Sequence, residues 1–116
     1  MIIVNKNGTL IHKKKLYKCA LGKKGITKNK REGDQKTPSG TFSLGKVLFR
    51  KDNLYDIIIV INYNTRPIVK NKGSAIFIHL AKKNYSGTMG CIGLKKNDLL
   101  ELLKTISKKT KIKIVA

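Results

Sequence analysis

Residues 55–64, "YDIIIVINYN", place Ile57, Ile58, Ile59, Val60 and Ile61 side by side. β-Branched side chains are stiff at χ1 and fit a pleated surface. A near-continuous run of them predicts a central strand covered on both faces. On its N-terminal side "TFSLGKVLF" (41–49) also has strand character. On its C-terminal side the loop "TRPIVKNKGS" (65–74) leads into "AIFIHL" (75–80), a second buried strand.

Further out, "IIV", the turn "NKNG" with Gly8 free to take positive φ, and "TLIH" read as a hairpin. "KLYKCALG" adds a strand that stops at Gly22, and "TKIKIVA" closes the chain as an edge strand with alternating lysines. One stretch has a helical period. In "KKNDLLELLKTISKK", Leu99, Leu102, Leu103 and Ile106 share a face, which predicts a helix near residues 97–108. Asn97 or Asp98 can cap its start, and lysines gather at its negative end. Between Gly22 and Gly40 the chain is polar and glycine-dotted, a long loop of the kind that often carries function. The fold class is mainly β with one helix.

A length of 116 residues fits a single domain, 1–116, with one real core. The formal net charge of +20 favours a polyanion: nucleic acid, an anionic membrane surface or an acidic envelope polymer. Against a nucleic-acid face, the excess is nearly all Lys. The arginines are Arg31, Arg50 and Arg66, and readers of bases and phosphates rely on the guanidinium fork. The lysines are also spread along the whole chain, so they read as a solvated surface and no specific nucleic acid is expected. No stretch approaches the ~20 apolar residues of a transmembrane segment, and "MIIVNKNGTLIHKKK" lacks the apolar core of a secretory signal. Two cysteines do not make a disulfide scaffold, and Cys19 within "LYKCALG" reads as a buried small side chain.

The chemistry rests on few residues. His79 ends the "AIFIHL" strand, and Cys91 follows in "SGTMGCIGL" (86–94) after a loop with Gly87 and Gly90. A strand end and a short returning loop can bring the two together as a nucleophile and its base, with the thiol pKa lowered from ~8.5. Gly90 permits a sharp turn whose N–H groups, with that of Cys91, can receive an oxyanion. The plainer alternatives are a structural histidine and an inert cysteine. A metal site on His79, Cys91, His12 or Cys19 lacks any organising spacing, and His12, among lysines, reads as exposed.

Three segments in order, "KREGDQKTPSGTF", "GSAIFIH" and "SGTMGCIGL", resemble the signature segments of the L,D-transpeptidase catalytic domain (YkuD-type), in particular its small subgroup with a KREGD…TPxGxF loop. The likeness runs from about Ala20 to Leu103. It implies a β-sandwich and a cysteine enzyme acting on peptidoglycan stem peptides without metal or organic cofactor. It matches Cys91 to the nucleophile, His79 to the base, and Gly90 with Cys91 to the oxyanion turn. A backbone carbonyl near His79, that of Leu80 or a neighbour, would orient the ring. The bond attacked would precede the terminal D-Ala of a tetrapeptide stem, and the acyl group would pass to an amine.

Two departures stand out. Better-known members carry a His before the Gly-Cys pair and an Arg two residues after the Cys, whereas this chain has Met89 and Gly93. Another cation must then grip a substrate carboxylate: Arg31 first, Arg66 second. "REGD" also reads as a loop pinned by ion pairs and Asx turns, and Thr37, Pro38 and Gly40 as turn residues. Ser74 and Thr88 are candidates to line the cleft and Tyr63 to wall it. The implied place of action is the bacterial cell envelope or periplasm, with the cytoplasm as the alternative because no signal peptide is visible. The rival readings are an L,D-carboxypeptidase or amidase using the same site, and a basic polyanion-binding module without activity.

Overall fold

Alternation of buried and exposed residues builds the walls of the structure. A computed structural model describes residues 1–50, 56–65 and 67–116. Its strands are β1 (Ile2–Asn5), β2 (Thr9–His12), β3 (Lys15–Ala20), β4 (Ile26–Thr27), β5 (Thr37–Pro38), β6 (Gly40–Arg50), β7 (Asp56–Ile61), β8 (Phe77–Leu80), β9 (Ile92–Leu94) and β10 (Lys111–Ile114). Every second residue points inward: Ile2 and Val4, Tyr17 and Cys19, Ile57, Ile59 and Ile61, Ile112 and Ile114 are all buried. Several of these side chains are wholly inaccessible, and truncating one such as Ile59 to Ala costs about 2–5 kcal/mol.

Eight strands close in the order β1–β10–β6–β7–β8–β9–β3–β2. The expected sandwich is closed along both sides, because two strands serve both sheets. β6 pairs with β10 over Gly40–Ser43 and with β7 from Leu44 onward, and its register shifts between Leu44 and Val47. β3 pairs with β2 over Lys15–Lys18 and with β9 at Cys19 and Ala20. Such bulged, sheet-switching strands form the corners of a closed sandwich.

Closure changes two expectations. β10 is no edge strand, since it lies parallel to β1 and antiparallel to β6. Its lysines alternate because Lys111 and Lys113 face outward while Ile112 and Ile114 fill the core. β7 is central, between β6 and β8, but only its inner face is buried, with Ile58 and Val60 half-buried on the outer one. Tyr55, at the head of the quoted run, lies outside the described residues.

Among the described residues one α-helix forms, α1 (Lys96–Thr105), with Leu99 and Leu102 buried and Leu103 and Ile106 packed against the core. Its N-cap is Lys95, which makes no side-chain cap bond. Asn97 and Asp98 lie inside the first turn, where Asp98 faces the positive end of the helix dipole. His12 is also corrected: it is 4 % exposed and its Nδ1 lies 2.9 Å from Thr105 Oγ1 of α1. Its alternation partner in β2 is the buried Leu10, which outweighs the lysines beside it in sequence. No helix among the described residues is long and apolar enough to cross a membrane.

The 22–40 loop is tied down at both ends. β4 and β5 pair in parallel within it. Thr37, read as a turn residue, is fully buried and its hydroxyl accepts the Gly22 N–H at 2.9 Å. A Cβ on Gly22 would sit 2.7 Å from the Gln35 carbonyl, so the loop crosses directly over that glycine.

Candidate active site

β8 and β9 run parallel, with Ile78 opposite Ile92, His79 opposite Gly93 and Leu80 opposite Leu94. Ile78 and Ile92 fill the core, so their neighbours His79 and Cys91 stand on the opposite face. Cys91 immediately precedes β9 and is held against the start of β8. Its Sγ accepts the Phe77 N–H at 3.4 Å and donates to the Ala75 carbonyl at 3.3 Å. The thiol therefore sits one strand across and two residues along from His79.

The imidazole is oriented locally. His79 Nδ1 lies 2.7 Å from the Leu80 carbonyl, as the resemblance implies. A carbonyl can only accept, so Nδ1 carries a proton, and Nε2 is the nitrogen that holds the lone pair whenever the ring is neutral.

Cys91 is half-buried, and burial pushes its pKa above the ordinary thiol value. The Phe77 N–H and the Lys30 charge pull the other way without cancelling it. The expectation of a lowered thiol pKa is thus reversed, and the resting group is a thiol hydrogen-bonded to Ala75. Cys19 is buried among apolar side chains with nothing to offset desolvation, and its pKa is pushed up to about 12.

The turn before Cys91 is built for glycine. Gly90 has φ +135°, and a Cβ there would lie 2.8 Å from the Lys36 carbonyl. Its N–H already donates to Thr88 Oγ1 at 3.0 Å, and that hydroxyl donates to the Cys91 carbonyl at 2.6 Å. Thr88, expected to line the cleft, is 7 % exposed and clamps the turn from within. The Gly90 N–H, carried over as an oxyanion donor, is occupied by this clamp.

Gly93 also admits no side chain. A Cβ would meet Ala81 Cα at 2.9 Å and Ala20 Cβ at 3.2 Å, so no arginine fits on this backbone. A cation that the sequence left unmarked reaches the turn. Lys30 is 6 % exposed, and its Nζ lies 3.6 Å from where a Gly90 Cβ would be. It bonds the Arg31 carbonyl at 3.1 Å and pairs with Asp34. Asp34 also accepts the Arg31 and Lys36 N–H groups at 2.9 and 3.0 Å. Burial raises the Asp34 pKa, but Lys30 and these two donors overcome it and leave a net lowering. Lys30 and Asp34 are spaced i,i+4 within "KREGD", the signal that points to the pair.

The remaining candidates gather nearby. Arg31 is exposed at the loop surface. Ser74 is exposed, and its hydroxyl lies 3.3 Å from Glu32 Oε1. Tyr63 is half-buried, donates to the Lys72 carbonyl at 2.5 Å and stacks edge-on against Phe42 at 5.5 Å. Arg66 lies outside the described residues. Among those described, no three His, Cys, Asp or Glu residues cluster as a metal would require.

This architecture is one already known from solved structures of bacterial proteins. Bd1075 of Bdellovibrio bacteriovorus superposes with a TM-score of 0.68 at 22% identity, over 99% of this chain and 47% of that one. The helical cell shape determining protein Pgp2 of Campylobacter jejuni (K307A mutant) gives 0.66 at 23%, over 97% and 45%. An L,D-transpeptidase from Mycobacterium tuberculosis gives 0.66 at 10%, over 99% and 57%. The chain spans about half the length of these proteins, and no curated protein matches it. The family model for the L,D-transpeptidase catalytic domain, YkuD, matches residues 1–114, and the chain belongs to that family.

Proposed function

We propose that the domain is a cysteine acyltransferase that acts on tetrapeptide stems of peptidoglycan in the bacterial envelope. The supporting observation is the pairing of β8 with β9. It sets His79 and Cys91 on one face, with the His79 ring fixed by the Leu80 carbonyl and Nε2 left as a base. In this reading Sγ attacks the carbonyl before the terminal D-Ala as Nε2 takes the thiol proton. We assign the oxyanion to the Cys91 N–H, because the Gly90 donor is engaged by Thr88. The tetrahedral intermediate collapses, the imidazolium protonates the departing amine, and D-Ala leaves a thioester on Cys91. An acceptor amine, deprotonated by His79, then attacks the thioester and restores the thiol. A raised resting pKa suits this sequence, since proton removal coincides with attack instead of preceding it.

The test is to incubate the protein with tetrapeptide muropeptides and read intact-protein and product masses. An acyl-protein adduct with loss of D-Ala is expected, absent in Cys91→Ala. A cross-linked dimer identifies transfer, and a trimmed monomer identifies an L,D-carboxypeptidase instead. No adduct and no product would leave a basic binding module as the better account.

A further inference from the structure

Next to the Cys91 turn lies a cleft of about 810 Å³. Lys28, Lys30 and Arg31 line it from the REGD loop, and Lys70 and Lys72 from the loop before β8, with Tyr63 completing the lining. Five cations thus meet one carboxylate, that of Glu32. Lys30 is neutralised by Asp34. Among the described residues, Lys28, Arg31, Lys70 and Lys72 take part in no ion pair, and all four are exposed.

Hydrogen bonds tie the two walls of the cleft together. The Glu32 N–H donates to the Asn71 carbonyl at 2.9 Å, and Ser74 reaches Glu32 across the same seam. Asn64 folds the second loop from inside, donating to the Val69 and Gly73 carbonyls at 3.0 and 2.6 Å and accepting the Val69 N–H at 2.7 Å. Gly73, at φ +90°, lets the Lys30 stem pass, since a Cβ there would lie 3.0 Å from Lys30 Cγ and Cε. Like charges around a concavity raise its positive potential, which draws an anion into it most strongly at low salt. The cleft and the Cys91 turn share one side chain, since Lys30 lines the cleft and its Nζ lies 3.6 Å from where a Gly90 Cβ would be.

We propose that this cleft is the subsite for the free carboxylates of the donor stem peptide, held by Lys28, Arg31, Lys70 and Lys72 while the scissile carbonyl lies at Cys91. This inference rests on the acyl-transfer reading above. It replaces the grip of the arginine that Gly93 excludes with several lysines and Arg31. Lysines are point charges, and they suit carboxylates presented at varied angles better than a single bidentate fork does.

Binding is measured by calorimetry on the Cys91→Ala protein, which cannot consume the ligand. The ligands are a disaccharide tetrapeptide and the same peptide with its carboxylates converted to carboxamides. Lys70→Glu/Lys72→Glu should weaken the native peptide about tenfold or more and flatten its salt dependence, with the unfolding midpoint unchanged. The amidated peptide should bind weakly, and equally so, to both proteins. Lys28→Glu on the opposite wall gives the same test should the double variant fold poorly. Equal affinity of parent and charge-reversed proteins, or of native and amidated peptides, overturns the proposal, as does inorganic phosphate binding as tightly as the peptide. Failure of the enzymatic reading looks different. The peptide would bind through the cleft cations, yet no adduct would form on wild-type Cys91.

Discussion

Of the chain's two cysteines and two histidines, Cys19 and His12 point into the core, whereas Cys91 and His79 stand on the outer face at the β8–β9 end. Both cysteines feel desolvation. Only Cys91 has a backbone N–H on its sulfur, a lysine charge nearby and a histidine two residues along the neighbouring strand. His12 is closed off against Thr105 of the helix, while His79 spends one nitrogen on its neighbour's carbonyl and keeps the other. Residue type therefore says little about reactivity here. Which side of the pleat a residue occupies, and whether its second polar atom is already engaged, says much more.

The sharpest way to break this contrast is to exchange the cysteines' fates. Cys91→Ala should lower stem-peptide turnover on the order of 10³-fold or more, with the fold intact. Cys19→Ala should leave turnover near wild type and cost about 1 kcal/mol of stability by urea unfolding. Comparable losses of turnover from both would end the distinction. Next come the histidines. His79→Gln should cut turnover about 10²- to 10⁴-fold, whereas His12→Gln should act on the melting temperature and leave turnover alone.

Alkylation with iodoacetamide as a function of pH sharpens the same contrast. Cys91 should react with a midpoint above the ordinary ~8.5, and Cys19 should stay protected until about pH 12 or until the protein unfolds. A Cys91 midpoint well below 8 would mean a preformed thiolate and overturn the order of proton transfer given above. The smallest effect belongs to His12, whose pKa is lowered first by burial, then by the N-terminal amine and Lys13. Below about pH 6.5 the unfolded chain binds a proton that the folded chain resists. Stability should therefore be full above that value and fall as pH drops through it toward the folded pKa. His12→Gln should remove that slope from a series of thermal melts.

Much of the wall was legible in the sequence, because period-two burial is a local property. The Ile57–Ile61 run, the N-terminal hairpin and the Leu99–Ile106 stripe are all elements of the structure. Barrel closure was not legible, since it depends on β1 meeting β10 from the far end of the chain, and no local pattern records that pairing. His12 could have been found: "TLIH" puts it on the Leu10 face, and the neighbouring lysines obscured this. At the site, the ordered motifs singled out His79 and Cys91. Lys30 was overshadowed by Arg31, although a lysine four residues before an aspartate within a glycine-bearing loop is the pattern of a pinned, buried cation. The engagement of the Gly90 N–H by Thr88 depends on the path of one turn, which residue identity does not disclose.

The orienting partner of His79 is a peptide carbonyl, that of Leu80. A catalytic group held by an acidic side chain can be disarmed by one codon change at that side chain. No substitution at position 80 other than one that distorts the backbone deletes a main-chain oxygen. The ring's alignment is thus inherited with the strand itself, and mutational drift at that position tunes packing around the histidine while sparing its tautomer.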